Sequence, residues 1–434
     1  MRSEEDIKRS ILARIKPPQF PNRDFDITKY GALGDNRKKS TEAIEKAIAA
    51  CNAAGGGRVV VPPGKFLTGA IHLLDNVNLY LSPGATLLFS SDPRDYPLVL
   101  TRFEGVECMN YSPFIYAFEK RNIALTGDGT IDGQAGTENW WPWVGRERAG
   151  WKRGQPNGIA DRQSLFQMGE HDVPVPQRVF GPGHFLRPNF VQPYRCTNVL
   201  LEGVTVVNSP MWEFNPVLCH NVTIRGVKIQ SHGPNNDGCD PESCRDVLIE
   251  NCVFSTGDDC IAVKAGRNRD GRRVGAPCEN IVITNCQMKD GHGGVSIGSE
   301  VSGGVRNILI DNCVMSSPNL ERGLRIKTNS YRGGVIENIR FESIAIGEVK
   351  EAAVEVDFHY EEGAGGPFKP TVKDIYIANV RSRKSKYGIY LRGFPDAPIT
   401  GVTIRNCDFE GTQYGNYFED VAEKRMSNVI VNGK

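Results

Sequence analysis

Three aspartates in neighbouring segments of the chain are the residues most able to carry acid and base chemistry. Asp258 and Asp259 are adjacent, and Asp237 comes shortly before them. Two adjacent carboxyl groups repel each other when both are ionised, so cations or a shared proton must relieve the pair. A carboxyl that keeps its proton beside one that loses it can act as a general acid beside a general base. For an Asp-Asp pair taken alone, the alternative is an exposed turn that only caps a strand.

Basic side chains follow the aspartates along the chain. His292 precedes Arg325 and Lys327, and Lys264 lies on the segment of the aspartate pair. Guanidinium and ammonium groups bind carboxylates through charge-assisted hydrogen bonds. An imidazole can tune carboxyls that it contacts, and the alternative for His292 is a turn residue without this role. The alternative for Lys264 is a solvated cation paired with Glu242.

A repeated phrase predicts the scaffold that positions these residues. Each copy has a polar residue, alternating apolar residues and then Asn-Cys or a relative. From Asn198 onward the copies follow one another at roughly 23 to 36 residues, the spacing of solenoid coils. The period-two alternation makes each copy a strand with one buried face. Such short strands must stack to bury a core, so we predict an all-β, right-handed parallel β-helix. Copies begin at Asn76, Asn122, Asn198, Asn221, Asp246, Asn280, Asn307, Asn338, Asp374, Gly401 and Asn428.

Two sets of residues share a phase of this phrase. The first set predicts a ladder of stacked amides and comprises Asn251, Asn285, Asn312, Asn379 and Asn406. The second set comprises Cys252, Cys286, Cys313 and Cys407. We interpret these cysteines as small buried core residues rather than disulfides, which fits a reducing cytoplasm.

A second alignment places the candidate site on one face of the solenoid. Five successive coils contain comparable strands beginning at Gly238, Cys260, Gly294, Gly323 and Ala353. The second and fourth residues of these strands are expected to face the core. The third and fifth residues are expected to face outward: Asp240, Ala262, Ser296, Arg325 and Glu355, then Glu242, Lys264, Gly298, Lys327 and Asp357. Since stacked strands lie about 4.8 Å apart, the aspartates, His292 and the cations should meet on this face.

The two remaining parts of the chain are predicted to frame the solenoid. A helix with Ser40 or Thr41 as its N-cap runs through the TEAIEKAIAACNAA segment and should cover the open first coil. Residues 1–24 are predicted to be an N-terminal extension and residues 25–434 one catalytic domain. An inserted loop at about 136–190, rich in tryptophan, glycine and proline, interrupts the repeat and should lie at the rim of the site.

Composition excludes several function classes. The 434 residues carry a formal net charge of +1, so no global field favours nucleic acid or an anionic membrane. No segment approaches the length of a membrane span, and the first 18 residues lack the core of a signal peptide, so we expect a cytoplasmic protein. If an export signal has been removed, a secreted or periplasmic location is the alternative. No Cys-x-x-Cys pair occurs, and we expect neither a metal nor a cofactor.

Four short motifs resemble the signature segments of the polygalacturonase family of glycoside hydrolases. Asn235-Asn236-Asp237-Gly238 is similar to the family's Asn-Thr-Asp and departs from it at the middle residue. Gly257-Asp258-Asp259, Gly291-His292-Gly293 and Arg325-Ile326-Lys327 are similar to its other three segments. Four motifs in this order are specific. Because the FDITKYGALGD and GGGRVVVPPGKFLTG segments also resemble the family, the similarity covers nearly the whole chain.

The resemblance implies inverting hydrolysis of α-1,4-galacturonosyl bonds without a cofactor. It implies that Asp258 is the general acid and that Asp237 and Asp259 activate the attacking water. An inverting site of this kind needs carboxyls about 6.5–9.5 Å apart. The cations, the family-like Tyr360 and Asn235 are expected to bind the anionic substrate, a galacturonate-containing oligo- or polysaccharide.

Exo action is expected from the insert, which carries Trp140, Trp141 and Trp143 and resembles that of bacterial exo-acting members. The alternative role of these tryptophans is to pack the insert against the coils. Other candidate functions are endo action, a rhamnogalacturonan or xylogalacturonan hydrolase, a calcium-dependent pectate lyase and a non-catalytic binding protein. His292, Arg325 and Lys327 argue against a rhamnogalacturonan or xylogalacturonan hydrolase, and the Asp-Asp and Gly-His-Gly segments argue against the lyase. The oligomeric state is not predicted.

Overall fold

A computed structural model describes residues 4–434 of the chain. It contains two compact units, which we call the N-terminal unit, Arg14–Asn236, and the C-terminal unit, the residues up to Ala13 together with Asp237–Lys434. The prediction that residues 25–434 form a single domain stays a prediction. In the described range no helix is long and apolar enough to cross a membrane.

The N-terminal unit is a stack of short parallel strands. Its first ladder pairs successive strands from Phe25↔Val59 through Val59↔Leu79 and Leu79↔Leu125 to Leu125↔Leu201. An antiparallel pair that the sequence did not predict joins Leu98–Phe103 and Val106–Tyr111. The strands are Asp24–Asp26, Gly57–Val61, Gly64–Thr68, Ile71–His72, Val77–Leu81, Ala85–Phe89, Leu98–Phe103, Val106–Tyr111, Ile115–Phe118, Arg121–Gly127, Thr130–Asp132, Val179–Phe180, Val191–Tyr194, Thr197–Glu202, Thr205–Val207, His220–Arg225 and Lys228–Ser231.

A helix packs against the first coil of this unit, as predicted. It spans Thr41–Ala53 and buries Ile44, Ala47, Ile48 and Cys51. Its neighbours include the Gly57–Val61 strand. Ser40 occupies the N-cap position, but its side chain makes no capping hydrogen bond. The predicted N-cap position is therefore confirmed, but the buried Ser40 hydroxyl has no hydrogen-bond partner among the described residues.

The insert is more ordered than a loop. It contains the helix Ile159–Glu170, held by an ion pair from Arg162 to Glu104. Trp140 is buried and contacts the ring of Phe114, with ring centroids 5.7 Å apart. The Nε1 of Trp141 donates to the Ser209 carbonyl at 2.9 Å. These two tryptophans therefore pack the insert against the coils, because a large ring with a polar N–H is stabilised by burial and a hydrogen bond.

The C-terminal unit repeats the stacked-strand pattern in three ladders. Parallel crossovers of this kind are right-handed because of strand twist, and the predicted all-β, right-handed parallel β-helix is confirmed. The strands are Arg245–Glu250, Val253–Thr256, Ile261–Val263, Cys278–Thr284, Gln287–Met288, Val295–Gly298, Val305–Asp311, Val314–Met315, Arg322–Lys327, Val335–Glu342, Ala345–Glu348, Ala352–Asp357, Thr371–Ala378, Arg381–Lys384, Tyr387–Arg392, Ile399–Phe409, Tyr417–Glu419, Val421–Ala422 and Arg425–Val431.

Two short helices belong to the C-terminal unit. Glu4–Leu12 packs against the strand Cys278–Thr284, and its Lys8 pairs with Asp311. The predicted N-terminal extension therefore contains a docked helix. The second helix is Asn268–Val274.

Polar ladders run along the coils. The Nδ2 of Asn312 donates to Asn285 at 2.5 Å, and Asn428 donates to Asn406 at 3.0 Å. Asn285 and Asn312 have positive φ, a conformation that asparagine tolerates well. All twelve cysteines are buried, as small core residues should be.

Candidate active site

The stacked strands that carry the candidate site pair with one another in the predicted register. Ala262 pairs with Ser296, Ser296 with Arg325, and Arg325 with Glu355. One coil earlier, Cys239 forms a bridge with Ile261. The register of the aligned rows is thus confirmed across the five strands, although Asp240, Ala262 and Ser296 are fully buried.

Backbone hydrogen bonds between adjacent coils bring the three aspartates together. The Gly238 N–H donates to the Asp259 carbonyl, and the His292 N–H donates to the Asp258 carbonyl, both at 3.0 Å. One carboxylate oxygen from each of Asp237, Asp258 and Asp259 lies within 4.8 Å of the other two. The chain therefore concentrates three acids at the bends that precede consecutive strands.

One oxygen of each carboxyl approaches this closely because Asp258 and Asp259 are consecutive, while Asp237 lies on the coil directly bonded to theirs. The expected separation of about 6.5–9.5 Å between whole carboxyl groups stays a prediction. Two oxygens that lie within 4.8 Å of each other are both in reach of one water, whose hydrogen bonds are about 2.8 Å long.

Asp259 is fully buried and surrounded by donors. Lys327 Nζ lies 2.7 Å from its Oδ2 and Arg325 Nη1 lies 3.6 Å from its Oδ1. Ser296 donates its hydroxyl to the same Oδ1 at 2.7 Å. Burial alone would raise the pKa of Asp259, but Lys327 and Arg325 outweigh burial and hold that pKa well below its usual range. Ser296 occupies a predicted outward position, yet its role as a donor was not predicted.

His292 contacts Asp258. Its Nδ1 lies 3.0 Å from the Asp258 Oδ1, and its side chain is 41% exposed. Burial would raise the pKa of Asp258, but the hydrogen bond from His292 lowers that pKa below the ordinary value. The same bond raises the pKa of His292. The ligand-free pair is therefore an imidazolium and a carboxylate below the raised histidine pKa.

The pKa of Asp237 is shifted in the opposite direction from those of Asp258 and Asp259. Burial raises its pKa well above the usual value, and the neighbouring Asp240 raises it further. Its Oδ1 has no hydrogen-bond partner within the described protein atoms. Of the three carboxyls, Asp237 is therefore the one whose protonated form is favoured by burial and by the neighbouring carboxylates.

The glycines of the Gly-His-Gly segment allow this close packing. A Cβ on Gly293 would lie 2.3 Å from the Ser296 Oγ and 3.0 Å from the Asp259 Oδ1. Gly291 has φ +150°, and a Cβ there would lie 2.6 Å from the Asp258 carbonyl oxygen. Larger residues at these positions would push apart the coils that carry the carboxyls.

Lys264 lies inside the coil stack. It is 3% exposed, with its Nζ 2.9 Å from Glu300 and 3.9 Å from Asp240. A solvated cation, the alternative considered above, is therefore wrong. The charge of Lys264 also opposes the rise in the Asp237 pKa. Its engagement with buried carboxylates makes it a neighbour of the acid cluster, and its predicted contact with substrate stays a prediction.

Tyr360 lies beside the two cations Arg325 and Lys327. Its ring centroid lies 5.5 Å from the Arg325 Cζ and 5.3 Å from the Lys327 Nζ. A ring nitrogen of the neighbouring His359 lies 3.2 Å from the Gly393 carbonyl oxygen. Three of the five residues predicted to bind substrate, Arg325, Lys327 and Tyr360, line one open groove of about 560 Å³, and His359 lines it as well. Their role in binding substrate stays a prediction.

Asn235 belongs to the N-terminal unit and is held there by a buried arginine. Arg187 donates its Nη2 to the Asn235 Oδ1 at 2.7 Å and its Nη1 to the Pro234 carbonyl at 2.6 Å. The backbone of Asn235 has φ 55°. Its predicted role in binding substrate stays a prediction.

We expect His292→Gln to change the pH dependence of the reaction. The folded-state pKa of His292 is raised, so its bond to Asp258 is complete below the ordinary value of about 6.5 and lost as pH rises through the raised value. The alkaline limb of the kcat/KM profile should therefore move or vanish in the variant. The control is His171→Gln, a histidine exposed at the end of the insert helix. A variant profile identical to that of the parent would contradict this role.

Comparisons with known proteins agree with this geometry. A solved hyperthermoactive exopolygalacturonase from Thermotoga maritima is 44% identical, with a TM-score of 0.96 over 99% of this chain and 96% of that chain. An exo-poly-alpha-D-galacturonosidase from Dickeya chrysanthemi is 28% identical over 368 residues, which are 79% of this chain and 58% of that protein. An endo-polygalacturonase from Pectobacterium carotovorum subsp. carotovorum is 28% identical over 388 residues, 85% of this chain and 83% of that protein.

A family model described as "Glycosyl hydrolases family 28" matches residues 183–427, more than half of the chain. These residues include all four motifs and every side chain of the acid and cation cluster. The protein therefore belongs to glycosyl hydrolase family 28.

Proposed function

We propose that the protein hydrolyses α-1,4-galacturonosyl bonds in polygalacturonate and its oligomers, acts from a chain end and releases galacturonate with inversion. It is a glycoside hydrolase of the polygalacturonase type by family. The observation that carries the proposal is the contact between an acid cluster and two substrate-facing cations: Lys327 lies 2.7 Å from Asp259. Such an arrangement suits a sugar that is itself an anion.

Each carboxyl has a separate task in this mechanism. Asp258 gives its proton to the glycosidic oxygen as the bond from that oxygen to C1 breaks. The oxygen of a water bonds to C1 from the opposite face, and Asp237 accepts the proton that the water loses. Asp259, held ionised by Lys327 and Arg325, orients this water. Attack from the opposite face inverts the anomeric carbon.

The ligand-free protein holds the proton on Asp237 rather than on Asp258, because the pKa of Asp237 is raised and that of Asp258 is lowered. Substrate supplies a cause for the proton to move. The carboxylate of a bound galacturonate adds negative charge near Asp258, which raises the pKa of that residue. Transfer over the short distance between the two carboxyls then leaves Asp237 as the base and Asp258 as the acid.

Arg325, Lys327 and Tyr360 bind the substrate. The two cations provide charge-assisted hydrogen bonds to the sugar carboxylate, and the tyrosine ring forms the wall beside them. A neutral sugar would leave both cations without this partner. The site should therefore discriminate strongly against uncharged hexoses at the position next to the cleaved bond.

Product analysis tests both the mode and the stereochemistry. With purified protein and polygalacturonate, we expect galacturonate alone from the earliest times, and ¹H NMR should show the β-anomer first. A ladder of oligomers would show endo action, as in the Pectobacterium relative. An α-anomer as first product would contradict inversion, and release from rhamnogalacturonan in preference would contradict the substrate.

A cytoplasmic location remains a proposal. The burial of all twelve cysteines supports a reducing compartment, in which cysteine serves as a small apolar residue.

A further inference from the structure

Three tyrosines, Tyr387, Tyr390 and Tyr417, lie on the same sheet as Arg325 and Lys327, and Tyr414 lies in the turn before the strand of Tyr417. The Tyr390 and Tyr417 rings are stacked with centroids 4.9 Å apart. The Tyr387 ring lies 5.2 Å from both Tyr390 and Tyr414. We call these four residues the tyrosine platform. Tyr414 is 58% and Tyr417 38% exposed, so large aromatic surface faces solvent.

The strand register places the tyrosine platform in line with the site. Arg325 pairs with Glu355, Glu355 with Tyr390, and Tyr390 with Tyr417. Adjacent strands are about 4.8 Å apart, so Tyr390 lies roughly 10 Å from Arg325 along this row. A sugar on the tyrosine platform is therefore a different residue of the chain from the sugar that the cations hold.

One groove connects the two cations with the tyrosine platform. The cavity of about 560 Å³ is lined by Arg325, Lys327 and Tyr360 at one part and by Tyr387, Tyr390 and Tyr414 at another. A bound oligosaccharide that leaves the cations along this row therefore meets the tyrosines. Aromatic rings with a polar hydroxyl suit a ligand that has both an apolar ring face and hydroxyl groups.

The cations beside the tyrosine platform are already held by carboxylates. Lys386 Nζ lies 2.8 Å from Glu351, and Arg322 Nε lies 2.6 Å from Glu355. In contrast, the Arg325 guanidinium is no closer than 3.6 Å to its carboxylate neighbours Asp259 and Glu355. A sugar carboxylate gains less binding free energy from cations that are already paired with carboxylates than from Arg325. The platform therefore offers ring stacking without a demand for negative charge.

We propose that the tyrosine platform is a distal subsite that binds the ring of a sugar remote from the cleaved bond and accepts a galacturonate whose carboxyl is methyl-esterified. The inference rests on the proposed function, because it assigns another part of the same substrate chain. The subsite strengthens binding of long substrates and tolerates partial esterification away from the cleaved bond.

Oligogalacturonides of defined length test the subsite. We expect Tyr387→Ala/Tyr414→Ala to lower kcat/KM at least tenfold on the hexamer and to leave kcat/KM on the dimer within twofold. The Tyr387→Phe/Tyr414→Phe variant keeps both rings and should retain the parent's hexamer activity. Tyr376→Ala is the matched control, since Tyr376 lies between Arg340 and Arg405 on another sheet. Equal losses on dimer and hexamer, or no loss on either, would overturn the subsite.

Esterification provides the second arm. A hexamer esterified only at residues remote from the cleaved bond should be processed by the parent protein within threefold of the unesterified hexamer. A loss above tenfold would overturn the tolerance of the methyl ester. Thermal unfolding of each variant shows whether it is folded. Failure of the parent to release sugar from any oligomer would refute the proposed function itself, whereas parent activity with indifferent alanine variants would refute only the subsite.

Discussion

Asp258→Asn should lower kcat on polygalacturonate by about 10² to 10⁴, the usual contribution of general acid catalysis. The amide cannot protonate the departing oxygen, while its size and most of its contacts are kept. Thermal unfolding should stay close to that of the parent, because within residues 4–434 the Asp258 carboxylate is ion-paired with the partly exposed His292 alone. Reducing-sugar release and circular dichroism measure the two quantities.

An aryl galacturonide with a good leaving group distinguishes acid from base among the three aspartates. Such a leaving group departs without protonation, so Asp258→Asn should keep most of the parent's activity on it. Asp237→Asn is the matched comparison and should lose activity on both substrates, because the base is still needed. If Asp237→Asn keeps the aryl activity and Asp258→Asn loses it, the two roles are exchanged. Parent-level polygalacturonate activity in Asp258→Asn would refute the mechanism.

Lys327→Met is the second change with a large expected effect, on stability and on activity together. Lys327 neutralises the fully buried Asp259, and breaking a buried ion pair by removing one partner costs on the order of 3–5 kcal/mol. The lost bond to the sugar carboxylate should lower kcat/KM by about 30-fold to 5,000-fold, since truncating one partner of a desolvated charge pair costs on the order of 2–5 kcal/mol. Denaturant unfolding and steady-state kinetics measure the two effects.

The depressed pKa of Asp259 also predicts how the stability of Lys327→Met depends on pH. The pKa of Asp259 is depressed in the folded protein, so its contribution is present above the unfolded value of about 3.9 and is lost as pH falls through the depressed folded value. Without Lys327 the folded-state pKa of Asp259 rises, and acid should destabilise the variant less steeply than the parent.

Two further variants complete the test. Lys327→Met/Asp259→Asn removes the buried charge and should recover part of the stability without recovering activity. Lys373→Met removes a surface lysine paired with Glu337 and should leave the free energy of unfolding close to that of the parent, because exposed ion pairs contribute little. Stability of Lys327→Met equal to that of this control would show that Asp259 does not depend on Lys327.

The strand periodicity and the order of the motifs were sufficient to predict the fold and most of the candidate site. Alternation with period two assigned one face of each strand to the core. Because a parallel stack places equal phases next to each other, the same alignment predicted the row Asp240, Ala262, Ser296, Arg325 and Glu355, which the register confirms. The chain alone also pointed to a helix at the first coil, found at Thr41–Ala53.

The local sequence pattern did not predict features that depend on contacts between distant segments of the chain. The helix Ile159–Glu170 has no strong amphipathic pattern, and its Arg162 contact lies far back in the chain at Glu104. Glu300 as the partner of Lys264, at 2.9 Å, likewise depends on the bend after the next strand rather than on a shared phase. The sequence alignment had offered Glu242 instead.

Sequence by itself determined the stacked coils, the row of basic residues Arg325 and Lys327 and the presence of three acids at one site, because each follows from residue type and repeat phase. Only the tertiary structure decided how these groups share charge. Burial raises the pKa of Asp237, the His292 bond lowers that of Asp258, and Lys327 and Arg325 hold Asp259 ionised. A pKa depends on the depth and distance of every neighbouring charge, and these are properties of the folded coils and not of the order of residues.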